Sequence, residues 1–105
     1  MRNEDRLHDA LSKAAQAYHL ILDGAPEEGA AYRFTGERHI FESGAVIFTT
    51  ETFQIYVFQK QYSAELVQAI VAELANAGFT ATETGQSMQD EFYRDELMAS
   101  RAKED

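Results

Sequence analysis

The segment from Val46 to Phe58 constrains this chain more than any other, because Val, Ile, Thr, Phe and Tyr fill almost all of it. β-branched and aromatic side chains lose rotamer freedom in a helix but pack well on a pleated surface. The centre of the chain is thereby committed to a sheet. Extended backbone alternates its side chains between faces, which puts Phe53, Ile55 and Val57 on one side and Thr52, Gln54, Tyr56 and Phe58 on the other. The first set is a core face. The second is half aromatic, so part of it also needs cover. Residues 45–59 read as extended throughout, as one bent strand or as two.

Elements on either side follow from periodicity. Leu7, Leu11, Ala14, Tyr18, Ile21 and Leu22 recur at three- and four-residue spacing, which predicts a helix over 4–22 with Gly24 at its end. Asp23 to Gly29, holding the only proline, Pro26, reads as a loop. Ala31 to Thr35 predicts a short strand. Gly36 to Gly44 mixes Glu37, Arg38 and Glu42 with Ile40 and Phe41, and reads as a mobile loop that orders on assembly. Ser63 suits an N-cap, and Leu66, Ile70, Leu74 and Ala77 form a stripe, with Val67 and Val71 beside it and Gly78 as the stop. Phe79 to Thr84 predicts a strand, Gly85 to Ser87 a turn, Met88 to Met98 a last strand, and Ala99 to Asp105 a frayed tail.

The order α-β-β-α-β-β implies one α+β domain over 1–105, its sheet and second helix occupying 31–98. The expected architecture is a mostly antiparallel four-stranded sheet with both helices on one face. Phe53, Ile55, Val57, Leu66, Ile70 and Leu74 are its expected core.

Charge narrows the functional classes. Net charge is −9, and no Lys or Arg stands between Lys60 and Arg94. Nucleic-acid binders need a basic footprint to displace counterions from phosphates, so tight DNA or RNA binding is disfavoured, as is an anionic membrane. There is no cysteine, which excludes disulfides, thiolate nucleophiles and Cys-ligated zinc. The start of the chain shows no apolar signal-peptide region, and no stretch approaches the roughly 18–20 apolar residues of a membrane span. A cytoplasmic protein is expected.

Candidate chemistry is sparse. His8 and His19, placed on one helix, would stand about 16 Å apart along its axis, too far to share a metal. His39 has Glu37 and Glu42 as neighbours, a pattern that suits a base or a ligand but equally an ordinary surface histidine. Asp90-Glu91 and Asp95-Glu96 are adjacent within a predicted strand and point to opposite faces, so neither forms an acid–base dyad. Glu27-Glu28 reads as a solvated loop pair. No serine has nucleophile-elbow context, and the six glycines form no phosphate loop. The sequence nominates no catalytic residue, metal or cofactor, and the chain is not expected to be an enzyme.

Four segments together resemble a known family. They are the aromatic strand Ala31-Tyr32-Arg33-Phe34 after a Pro-Glu loop, the long strand ending Phe53 to Lys60, the helix from Ser63 to Gly78, and the acidic–aromatic strand Glu91 to Leu97. In pattern and spacing this resembles the small tail-terminator or head–tail joining proteins, also called neck or tail-completion proteins, of long-tailed bacteriophages and prophages. A departure lies at Arg33 and Thr35-Gly36-Glu37, where a more apolar segment is expected. The resemblance implies a structural virion component assembled in the bacterial host cytoplasm as a homo-oligomeric ring at the tail-tube end, contacting tail-tube and head-completion proteins. It implies no catalytic residues.

On that reading Phe34, Ile40, Phe41, Tyr56 and Phe58 are candidate interface residues. Glu83, Asp90 and Glu91 are candidates for an acidic channel wall that lets DNA pass, or else simply solvate an outer surface. The alternative function is a small bacterial adaptor or regulatory module that binds one protein through its sheet edge or second sheet face.

Overall fold

The protein's computed structural model describes residues 1–21 and 24–103. It has two helices and one five-stranded mixed sheet. Helix α1 spans Asn3–Ser12, and strands β1, β2 and β3 span Ala17–His19, Gly29–Glu42 and Ala45–Gln59. Helix α2 spans Ala64–Asn76, followed by β4 (Thr80–Gln89) and β5 (Phe92–Ala102). The sheet order is β1-β2-β3-β5-β4. β1 pairs parallel to β2, and every other pairing is antiparallel. β5 therefore lies between β3 and β4, which run parallel to each other and are joined through α2.

The α+β class holds, but the sheet has five strands rather than four, because the first helix ends early. Predicted over 4–22, it stops at Ser12, and Leu22 lies outside the described residues. The Ser12 hydroxyl donates back to the His8 carbonyl at 2.7 Å. A non-local demand decides the rest. Ala30, Ala31 and Tyr32 are buried on β2, and their outward backbone groups need partners. Extended chain at 16–20 supplies them: Ala30 N–H donates to the Gln16 carbonyl at 2.8 Å, and Leu20 N–H to that of Tyr32 at 2.8 Å.

Gly36 to Gly44 is likewise strand and turn rather than loop. β2 pairs with β3 from Gly29↔Phe58 to Glu42↔Ala45, with register shifts at Phe34/Gly36 and Ile40/Phe41. Ser43 and Gly44, at φ 52° and 81°, form the two-residue turn. The segment's mixed polarity arises because neither face of this ribbon is buried. β3 is one continuous strand.

The second turn is also displaced. Gly85 sits at a bulge within β4, and Asp90-Glu91 makes the turn, with Asp90 at φ 54°. Of the expected tail, residues 99–102 belong to β5 instead, and residues 104–105 lie outside the described residues. Ala99 is fully buried, and Lys103 N–H donates to the Thr49 carbonyl at 2.8 Å. Arg101 ties the two chain ends together, with Nη1 3.0 Å from Asn3 Oδ1 and Nε 3.1 Å from the Ala77 carbonyl.

Both helices lie on one face. Leu7 and Leu11 of α1 and Val67, Ile70 and Leu74 of α2 form a core with Tyr32, Phe53, Ile55, Val57 and Leu97. Leu66, an expected core residue, is only half-buried, and Val67 takes its place. Ser63 sits at the N-cap of α2 without a side-chain cap bond. Instead the buried Gln59 side chain accepts from Ser63 N–H at 2.8 Å and donates to the Ser63 carbonyl at 3.3 Å. The helix closes with Phe79 N–H on the Leu74 carbonyl at 2.9 Å and Gly78 N–H on that of Ala75 at 3.0 Å, a Schellman closure.

Candidate functional site

The most distinctive surface is an arm built from the distal halves of β2 and β3. β5 accompanies β3 only as far as Thr50, and β1 accompanies β2 only over Ala30–Tyr32. Beyond those points no third strand among the described residues flanks the pair, which receives Lys103 at its root through Thr49 and Glu37, and the molecule measures 50 × 27 × 21 Å. Phe41 faces Val46 across the ribbon, and Ile40 faces Phe48 one step away on the opposite side. Phe34, Phe41, Val46, Ile47 and Phe48 are all exposed, Phe41 to 62%. An isolated two-stranded ribbon is marginally stable in water, and apolar groups on both of its faces add surface that no described residue covers.

Two candidate interface residues, Ile40 and Phe41, thus share the arm, while Phe34 stands at its root opposite Phe53, with the two ring centroids 5.5 Å apart. Val46, Ile47 and Phe48 join them and were missed, because a strong β run reads as core until its pairing is known. Tyr56 and Phe58 lie elsewhere, on the sheet face away from the helices. Phe58 is 2% exposed and so is taken up inside the chain. Its ring stacks edge-on between Tyr56 and Phe92, with centroids 6.0 and 6.1 Å away. The Arg94 guanidinium lies 4.8 Å from the Tyr56 ring centre. Tyr56, Phe58 and Arg94 line a concavity of about 610 Å³ together with Ile21 and Pro26.

Of the acidic candidates, Asp90 and Glu91 occupy the β4–β5 turn and Glu83 sits within β4; all three are exposed. Glu83 has a partner that sequence spacing hid. Its carboxyl lies beside that of Asp95 on β5, and the interaction between the two, with burial adding to it, raises its pKa above the usual 4.5. Asp95 itself is 1% exposed.

The histidines are rearranged by the early end of α1. His8 on the helix and His19 on β1 meet at one hydroxyl: Tyr32 Oη is 2.8 Å from His8 Nδ1 and 3.3 Å from His19 Nε2. The 16 Å separation expected along a single helix does not apply. Glu4 Oε1 stands 3.6 Å from His19 Nδ1. Burial, followed by the negative charges of Glu4 and Asp5, raises the Tyr32 pKa above 10.0. The phenol thus stays protonated at neutral pH, able to donate to one imidazole and accept from the other. His39 bonds the Thr49 hydroxyl at 2.9 Å, while its expected companion Glu37 pairs with Lys103 Nζ at 2.8 Å. Among the described residues no group of three or more His, Asp or Glu side chains could hold a metal ion. No helix among them is long and apolar enough to cross a membrane.

Compared with known proteins, the chain matches no family model and no curated protein.

Proposed function

We propose that this chain is a structural assembly protein, acting as a ring subunit at the end of a phage or prophage tail tube in the manner of the tail-terminator and head–tail joining proteins its sequence resembles. The arm carries this reading: an apolar ribbon with both backbone edges open suits a neighbouring subunit better than water. Charge is compatible with self-association. Between Gly29 and Thr50, Arg33 and Arg38 cancel Glu37 and Glu42, so the net −9 belongs to the rest of the chain. The arm can approach an acidic neighbour without repulsion. A heterologous contact of this kind closes into a ring when its rotation allows.

The acidic remainder, including Glu83, Asp90 and Glu91, suits a channel wall that repels DNA at short range, within the roughly 8–10 Å that salt leaves unscreened. Sedimentation velocity across a concentration series tests the reading. The wild type should associate, and Phe41→Ser/Phe48→Ser should remain monomeric with an unchanged melting temperature. A wild type that stays monomeric up to its solubility limit would overturn it, as would DNA binding at about 150 mM salt.

A further inference from the structure

The least explained group in the core is Asp95. Its neighbours on the same face of β5, Leu97 and Ala99, are fully buried and apolar, yet Asp95 is 1% exposed and carries a carboxylate. A buried carboxylate is costly unless every oxygen has a donor. One oxygen is served: Gln86 Nε2 donates to Oδ1 at 2.7 Å and also to Tyr62 Oη at 3.1 Å. Oδ2 is buried and has no nitrogen or hydroxyl donor among the described residues. The group that β4 brings beside it is Glu83, a second carboxyl. The adjacent Arg94 offers no help, since its guanidinium packs on Tyr56 across the sheet and bonds Ser87, Gln89 and Glu96. Chain from Gln61 to Tyr93 contains no Lys or Arg.

Although buried, Asp95 borders an opening in the surface. It lines a cavity of about 380 Å³ with Tyr62, Gln86, Ser87, Tyr93 and Arg94, the last with its guanidinium turned to Tyr56. The Tyr62 and Tyr93 rings stand 5.6 Å apart, inclined at 59°, and are 41% and 43% exposed. Tilted aromatic faces beside a desolvated carboxylate form the arrangement that attracts a guanidinium or ammonium group, the rings through their quadrupoles and the carboxylate through charge-assisted hydrogen bonds.

We propose that this cavity is a binding site for an organic cation, a guanidinium or alkylammonium group that enters beside Tyr62 and Tyr93 and gives Asp95 Oδ2 its missing donor, with Glu83 as the second negative charge. Glu83 holds its proton more tightly than an ordinary carboxyl does, so a cation bound beside it competes with that proton. One source of the cation is within the protein itself: Arg38 on the exposed arm has no ion pair or side-chain hydrogen bond among the described residues, and a second copy would present it. That source rests on the assembly reading above; the site does not.

The test is a two-dimensional NMR titration of the full chain with N-acetyl-arginine N-methylamide and its lysine counterpart in about 150 mM salt, where diffuse attraction to an acidic protein is screened. The uncharged citrulline analogue serves as control. The expected result is saturable shifts at Tyr62, Gln86 and Tyr93 with either or both cations and none with citrulline. Glu83→Gln should weaken binding about tenfold, and Asp95→Asn should do so further, while Glu73→Gln in the last turns of α2 leaves it unchanged. Glu83 is exposed, so its variant tests the site even if Asp95→Asn fails to fold. No saturable shift with either cation, or equal shifts with citrulline, overturns the site. Loss of self-association in Arg38→Gln, with free arginine amide competing in the wild type, identifies the second copy as the source. Unchanged association with probe binding intact identifies a free ligand and leaves the site standing.

Discussion

Replacing Gly29 with alanine tests the seating of the first strand, the largest departure from what periodicity predicts. Gly29 opens β2 at φ +132°, a conformation that costs an L-residue about 1–3 kcal/mol. A Cβ there would stand 2.3 Å from the Gln16 carbonyl oxygen, a backbone atom that no rotamer change can move. Relief requires pushing the start of β1 away, which breaks the 2.8 Å bond from Ala30 N–H to that same oxygen. A net backbone hydrogen bond is worth about 1 kcal/mol, so the total loss is about 2–4 kcal/mol. For a domain of this size that lowers the melting temperature by roughly 10–25 °C. Urea melts read by far-ultraviolet circular dichroism should show a lower midpoint at an unchanged slope. Gly44→Ala is the matched control. It also has positive φ, +81°, but an added Cβ meets nothing within 4 Å, so the loss should stay near about 1 kcal/mol. Equal stability of Gly29→Ala and the wild type would refute the β1–β2 contact at Gln16 and restore a longer first helix.

Three further outcomes are expected. Ile70→Ala, at a fully buried position facing the sheet, should cost about 2–5 kcal/mol in chemical denaturation. In ultraviolet titration the wild type should show tyrosine ionisation above the ordinary 10.0, from Tyr32 and also from Tyr18, whose pKa burial likewise raises; Tyr32→Phe should lose part of this high-pH phase and about 1–2 kcal/mol of stability. The raised Glu83 pKa makes the folded state hold a proton more tightly than the unfolded chain. Stability should therefore fall as pH rises from 4.5 through the folded value, and Glu83→Gln should remove that slope, being more stable than the wild type at neutral pH and equal to it below 4.5.

The sequence alone was sufficient where local and tertiary preferences agree. The α+β class, the strand through Phe53, Ile55 and Val57, the α2 stripe at Ile70 and Leu74 and its stop at Gly78 are all legible, because alternation and 3.6-residue periodicity are printed in the chain itself. Even there a neighbour decided the detail: Val67 rather than Leu66 is buried, and Gln59 does the capping expected of Ser63.

Tertiary structure decided everything that depends on which backbone lies alongside. Residues 17–19 carry a pattern that fits a helix, yet they are extended because buried β2 needs hydrogen-bond partners on its outer edge. Gly36 to Gly44 looks like a loop and is a ribbon, since pairing to β3 satisfies one edge of its backbone while both faces stay wet. The same long-range contacts made the side-chain clusters. His8 and His19 meet only through Tyr32, and Glu83 meets Asp95 only because β5 inserts beside β4. Sequence spacing measures distance along one element, whereas these groups are brought together by the order of strands in the sheet, which no local pattern encodes.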